Sequence, residues 1–158
     1  MDTRAFLKQV DAARAEWDQV IAQISPEELL KPGVAGAWTG KDLIAHITWF
    51  ELEMIELLTS RSLQGSSEWW LLPADERNAL IYQANRDRSL DDLLAASAEA
   101  WTRLRALLET LDEQALTDPS QFEAMPPDWV PWQIIAQNSS EHYEAHLPDL
   151  RTRLAPKD

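Results

Sequence analysis

Through four long stretches of this chain apolar residues recur three and four positions apart, and nowhere do they alternate with polar residues at a spacing of two. Spacings of three and four gather side chains on one face of an α-helix, whereas a half-buried strand requires a period of two. The chain is thereby restricted to helices that each bury one stripe. Phe6, Val10, Ala13, Trp17, Ile21 and Ile24 predict a first helix over about 3–24. Thr39 as N-cap, with Asp42 at the third helical position, opens a second over about 40–60 whose stripe is Leu43, Ile47, Phe50, Met54 and Leu57. The capping signature Ser89-Leu90-Asp91-Asp92 opens a third, carried by Leu94, Trp101, Leu104 and Leu108 to about 111. Pro131 suits the start of a fourth, which Trp132, Ile135, Ser139, His142, His146 and Leu150 continue to about 154, with a kink at Pro148.

The connections are read in the same way. Ser25-Pro26-Glu27-Glu28 predicts a short helical turn through Leu30, and residues 31–38 a loop. Residues 61–75, with Gly65-Ser66-Ser67 and Pro73 around Trp69-Trp70, predict an irregular crossover, followed by a short helix over about 74–86. Residues 112–128 are polar and proline-containing, which predicts a second long connection. The outcome is an all-α fold, a four-helix bundle with long crossover connections, as a single domain over 1–158.

A formal charge of −13, from 27 acidic and 14 basic residues, sets a surface potential that repels phosphate backbones and anionic lipid heads, so neither nucleic acid nor membrane is expected as a partner. The N-terminal stretch begins an amphipathic pattern without a signal-peptide core, and no run approaches ~20 apolar residues, so the expected location is the cytoplasm. The chain has no cysteine, so any transition-metal site must use His, Asp, Glu and water.

There are three histidines. His142 and His146 stand four apart, which on a helix projects both rings from one face, roughly 6 Å apart at Cβ. His46 falls on the inward arc of the second helix. In a bundle, sites are built from inward side chains on facing helices, which would bring all three together. Three imidazoles with an open position suit a divalent transition metal (Zn, Ni, Fe or Mn) that acidifies a bound water or thiol. The bland reading makes His46 a hydrogen-bonded core residue and leaves the other two at the bundle surface. Asn138 and Asp149, one turn to either side of the pair, and Glu53, seven residues after His46, are candidate orienting partners or a further ligand. Glu51, Glu53 and Glu56 are most simply a solvated helix edge.

Other motifs fail. Gly36 to Asp42 has glycines four apart and no Ser or Thr after Lys41, so it is not a phosphate loop. The glutamate of His142-Tyr143-Glu144-Ala145-His146 stands two residues after the first histidine, not one as in the zinc-protease helix, and Ser139 and Ser140 lack a glycine elbow.

The run Gly36-Ala37-Trp38-Thr39-Gly40-Lys41-Asp42-Leu43-Ile44-Ala45-His46, together with Trp132 to Asn138 leading into Glu141-His142-Tyr143-Glu144-Ala145-His146, resembles the DinB-like superfamily, and within it the ClbS/DfsB-type branch. The resemblance covers nearly the whole chain. It implies a metal triad of His46, His142 and His146, and relatives that are thiol-dependent S-transferases or that inactivate a reactive genotoxin.

Two functions follow. The first is a metal-dependent enzyme acting on a small-molecule substrate, by thiol S-transfer from a low-molecular-weight thiol or by hydrolysis of an electrophile. Tyr143 or Asn138 would orient the substrate, and Trp38, Trp49, Trp69, Trp70 and Trp129 would wall the pocket. The alternative is a non-catalytic module that sequesters a reactive small molecule. A third reading makes the tryptophan-rich face the interface of a homodimer.

Overall fold

The computed structural model describes residues 2–63 and 67–154. Helix α1 (Thr3–Gln23) is capped by the Asp2 carboxylate and α2 (Pro26–Leu29) by the Ser25 hydroxyl. Helix α3 (Gly40–Ser60) opens on a capping box in which Thr39 Oγ1 accepts from the Asp42 amide and Asp42 Oδ2 accepts from the Thr39 amide. Helix α4 (Ala74–Asn85) leads to α5 (Leu90–Glu109), capped by Ser89. Then come α6 (Glu113–Thr117), α7 (Pro131–Gln137) and α8 (Ser140–Arg151). The bundle is α1, α3, α5 and the α7–α8 pair, with α3 packed most extensively on α5 and α1 on α8. No strand occurs among the described residues, only isolated bridges, and no helix is long and apolar enough to cross a membrane.

Within the long connection 112–128, Asp112 accepts from the Ala115 amide and starts α6, which buries Ala115 and Leu116. Two expectations are corrected. The fourth helix breaks at Asn138–Ser139 and not at Pro148, which lies within α8. There the Asn138 side-chain amide donates to the Ile134 carbonyl at 2.7 Å and the Ser139 hydroxyl to the Ile135 carbonyl at 2.6 Å. Ser139 itself leaves the helical region, with φ of −140° and ψ of −95°. Finally, Glu51 and Glu53 are not a solvated edge, being 0% and 7% exposed.

Glu51 belongs to a polar layer between two apolar clusters. One cluster holds Phe6, Val10, Met54, Leu104, Leu108 and Ile135, the other Trp17, Val20, Ile44, Ile47, Leu93 and Leu150. Between them Arg14 of α1 donates to Glu51 of α3 at 2.6 Å and to the Ser97 hydroxyl of α5 at 3.0 Å, while the Tyr143 hydroxyl of α8 donates to the same Glu51 oxygen. One residue from each long helix thus meets at a buried ion pair. Burial pushes the Glu51 carboxyl up to about 6 against the pull of Arg14 and Tyr143. Burial also opposes the Arg14 charge, but Glu51, Tyr143 and Asp18 together raise its pKa. The pair is ionised at neutral pH.

In the crossover after α3, Glu68–Leu71 form a 3-10 turn. Gly65 and Ser66, read as part of that crossover, lie outside the described residues.

Candidate metal centre

The capping box fixes where α3 begins and therefore which way His46, two turns further on, points. His46 is 4% exposed. The break at Ser139 sets α8 apart from α7, and α8 carries His142 and His146 toward α3. The Nε2 atoms of His46 and His142 lie 3.1 Å apart, and one ligand nitrogen from each of the three rings lies within 4.8 Å of the others. The rings of His46 and His146 are 5.3 Å apart between centroids, those of His142 and His146 5.0 Å.

Burial, then the neighbouring rings and Arg77, lowers the pKa of His46 to about 3; burial, then His146 and Arg77, does the same for His142. Both rings are therefore neutral at physiological pH, the state in which imidazole binds metal. Their Nδ1 atoms are buried without a hydrogen-bond partner among the described residues, so the polar chemistry of both rings is directed through Nε2. His146 Nδ1 lies 3.3 Å from Asp149 Oδ2, and its Nε2 has no hydrogen bond among the described residues. A carboxylate behind an imidazole fixes its tautomer and raises its basicity.

These residues fit a divalent cation. Tetrahedral ligands ~2.05 Å from zinc are ~3.3 Å from one another, close to the His46–His142 approach. The set is all-nitrogen and drawn from two helices.

Aromatic rings enclose the cluster. The Gly33 and Val34 amides both donate to the Trp38 carbonyl at 2.9 Å, closing a tight turn that Gly36 permits with φ of 59°. That turn lays the Trp38 ring 5.2 Å from His46. Phe50 packs edge-on against both His46 and His142, at 4.9 and 4.6 Å. Behind Phe50 stand Trp49 and Trp70, with Trp69 stacked on Trp49. Trp70 Nε1 donates to Glu53 Oε2 at 2.6 Å. Beyond Trp70 opens a cavity of about 560 Å³, whose lining includes Glu53, Met54, Leu57, Trp129, Ile134 and Asn138.

The structure therefore brings His46, His142 and His146 together with Asp149, and sorts the remaining candidates elsewhere. Tyr143 is fully buried on a different side of α8 from the histidines, bonded to Glu51 and with its ring tilted against Trp17 at 5.8 Å. The reason is angular: one residue on from His142 is about 100° around the helix. Asn138 lines the cavity with its amide tied to Ile134. Glu53 is engaged by Trp70 and also lines the cavity, and Trp129 stands there apart from the Trp49–Trp69–Trp70 group. Lys41, set aside above as a phosphate-loop lysine, donates to the carbonyls of Arg86 and Arg88 at 2.7 and 2.9 Å and closes the end of α4. Arg77 was missed. It lies on α4, whose apolar pattern is weak, and its guanidinium covers Phe50 and Trp70 at 5.6 and 5.0 Å.

The family model of the DinB superfamily matches residues 9–148, which contain all three histidines and reach into every helix of the bundle. The chain belongs to the DinB superfamily. No curated protein matches this DinB chain in sequence. Among solved structures it is similar to the colibactin self-resistance protein ClbS in complex with a dsDNA, with 13% identity, a TM-score of 0.81 and coverage of 99% of this chain and 98% of that one. It is also similar to DfsB, described as a sibling lethal factor precursor, with 18% identity, a TM-score of 0.74 and coverage of 96% and 94%. A variant of a mycothiol-dependent maleylpyruvate isomerase matches with 14% identity and a TM-score of 0.71 over 95% of this chain and 61% of that one. At these identities the shared property is the fold.

ClbS corrects one expectation. A chain of this fold has been solved with a DNA duplex, so the net charge of −13 is no ground for excluding nucleic acid as a partner. A charge summed over a chain describes its far field and not the local patch a duplex touches.

Proposed function

We propose that this DinB chain is a metal-dependent enzyme that activates a thiol or water against a small electrophilic molecule, with His46, His142 and His146 as the metal ligands. The observation that carries the reading is the convergence of three imidazoles from two helices, two of them held neutral by burial. A divalent cation there supplies Lewis acidity, lowering the pKa of a thiol or water into the physiological range. The chain's own residues do the rest. Asp149 orients His146, Trp38 and Phe50 exclude water from the ligand nitrogens, and the cavity beyond Trp70 offers room for a small molecule. A solved relative is named for its dependence on mycothiol, which supports a low-molecular-weight thiol as the co-reactant here.

The test is conjugation of a low-molecular-weight thiol to a fluorogenic electrophile by zinc-loaded protein. The reading expects turnover that falls at least ~100-fold in His46→Ala while the fold is kept. Equal rates for wild type and His46→Ala would overturn it.

A second reading, sequestration of a reactive small molecule without catalysis, is favoured by the cavity itself, which is lined mainly by apolar side chains and is separate from the ligand nitrogens. It expects ligand binding to survive His142→Ala and His146→Ala unchanged.

A further inference from the structure

Arg77 has no carboxylate partner among the described residues. Arg4, Arg61, Arg88 and Arg103 share that lack, whereas Arg14, Arg86, Arg105, Arg151 and Arg153 pair with carboxylates; what distinguishes Arg77 among the unpaired arginines is its place on two rings beside the histidines. Its Nε is nonetheless buried without a hydrogen-bond partner. A half-buried guanidinium that leaves a donor unmet carries a desolvation cost that an oxyanion would remove.

Its position supplies the second observation. The guanidinium lies against two rings that face in different directions: Phe50, which touches His46 and His142, and Trp70, which lines the cavity. Arg77 therefore stands where the histidine cluster and the cavity share an aromatic wall. Stacking on aromatic faces holds the planar fork in one orientation, so little freedom is lost when an anion docks.

We propose that Arg77 binds an oxyanion, a carboxylate or a phosphate, on the small molecule that is worked on at the histidines. The proposal rests on the metal-centre reading for its chemistry, and it narrows the substrate class to anionic molecules whose reactive end reaches the histidines. A guanidinium fork recognises either oxyanion through paired N–H donors. Arg77 is by this account a specificity-determining residue, placed one aromatic ring away from the imidazoles.

Calorimetry on both metal-free and zinc-loaded protein, with hexanoate, hexyl phosphate and hexanol as probes, tests it. The proposal expects at least one anion to bind at least ~10-fold tighter than hexanol, the tighter anion naming the group. It expects Arg77→Met to abolish that preference and Arg77→Lys, which keeps charge without the fork, to retain only part of it. Circular dichroism confirms that the variants are folded. Hexanol binding as tightly as both anions to wild type, or an undiminished preference in folded Arg77→Met, would overturn the proposal. Zinc uptake in the same instrument reports separately on the metal centre: a protein that takes up no zinc but keeps an Arg77-dependent anion preference removes the metal reading and leaves the Arg77 assignment standing.

Discussion

The Nε2 atoms of His46 and His142, 96 residues apart in the chain, face each other at 3.1 Å across the contact between α3 and α8. Two neutral imidazoles approach so closely only with a proton or a cation between their lone pairs. Neither ring has another polar contact at Nδ1 among the described residues, so the bundle presents them to each other and to His146.

That arrangement makes stability depend on pH. Both rings have an ordinary pKa of 6.5 in the unfolded chain and about 3 in the fold. Above 6.5 neither state is protonated and they contribute nothing. Below it the unfolded chain gains protons the folded one refuses, so stability falls as pH falls toward 3, by about 2 kcal/mol per ring at pH 5. Glu51 acts in the opposite sense: its folded pKa of about 6 exceeds 4.5, so its contribution is full below 4.5 and is lost as pH rises through 6. Urea denaturation in chelator at pH 7 and pH 5 separates them. The difference between wild type and His46→Leu should shift by about 2 kcal/mol between the two pH values; a pH-independent difference would contradict the assignment.

In the proposed site Asp149 orients His146. Asp149→Asn should weaken zinc affinity about 10- to 100-fold while leaving one site per chain, measured by competition with a chromogenic chelator. Unchanged affinity would show that the 3.3 Å contact to His146 plays no part in the site.

The polar layer should be costly to break and cheap to replace. Glu51→Leu removes the acceptor shared by Tyr143 and the buried Arg14 and should destabilise by about 3 kcal/mol, and Tyr143→Phe by about 1.5 kcal/mol, in urea titrations. The double variant Arg14→Met with Glu51→Leu should recover most of the first loss, since an apolar pair removes both desolvated charges. A double variant less stable than Glu51→Leu alone would mean that the network stabilises the fold beyond satisfying its own charges.

How much of this was legible in the sequence depends on which signals are local. Caps are local: Thr39 with Asp42 and Ser89 with Asp92 placed the starts of α3 and α5 at the residues where the structure has them. Histidine order and spacing were local too, and the bundle geometry then brought the three rings together. The break at Ser139 was hidden because neither Asn138 nor Ser139 is a helix breaker by type, while Pro148 offered the more obvious signal. Glu51 could have been found. It continues the inward stripe Ile44, Ile47, Ile55 and Leu58, and reading it as solvent-facing set residue type above position. Tyr143 was mistaken for the converse reason, adjacency to His142 standing in for helical angle. Arg77 carried no pattern at all, because its meaning comes from Phe50 and Trp70, neither of which is near it in sequence except by seven residues in the case of Trp70.

Elemental analysis with zinc titration, on protein purified without a histidine tag, decides whether His46, His142 and His146 form one divalent-metal site. Wild type should hold close to one equivalent per chain at neutral pH, lost in His46→Ala and in His142→Ala, with both variants folded. Less than ~0.1 equivalent in wild type after saturation with zinc, or undiminished uptake in the two variants, would contradict it.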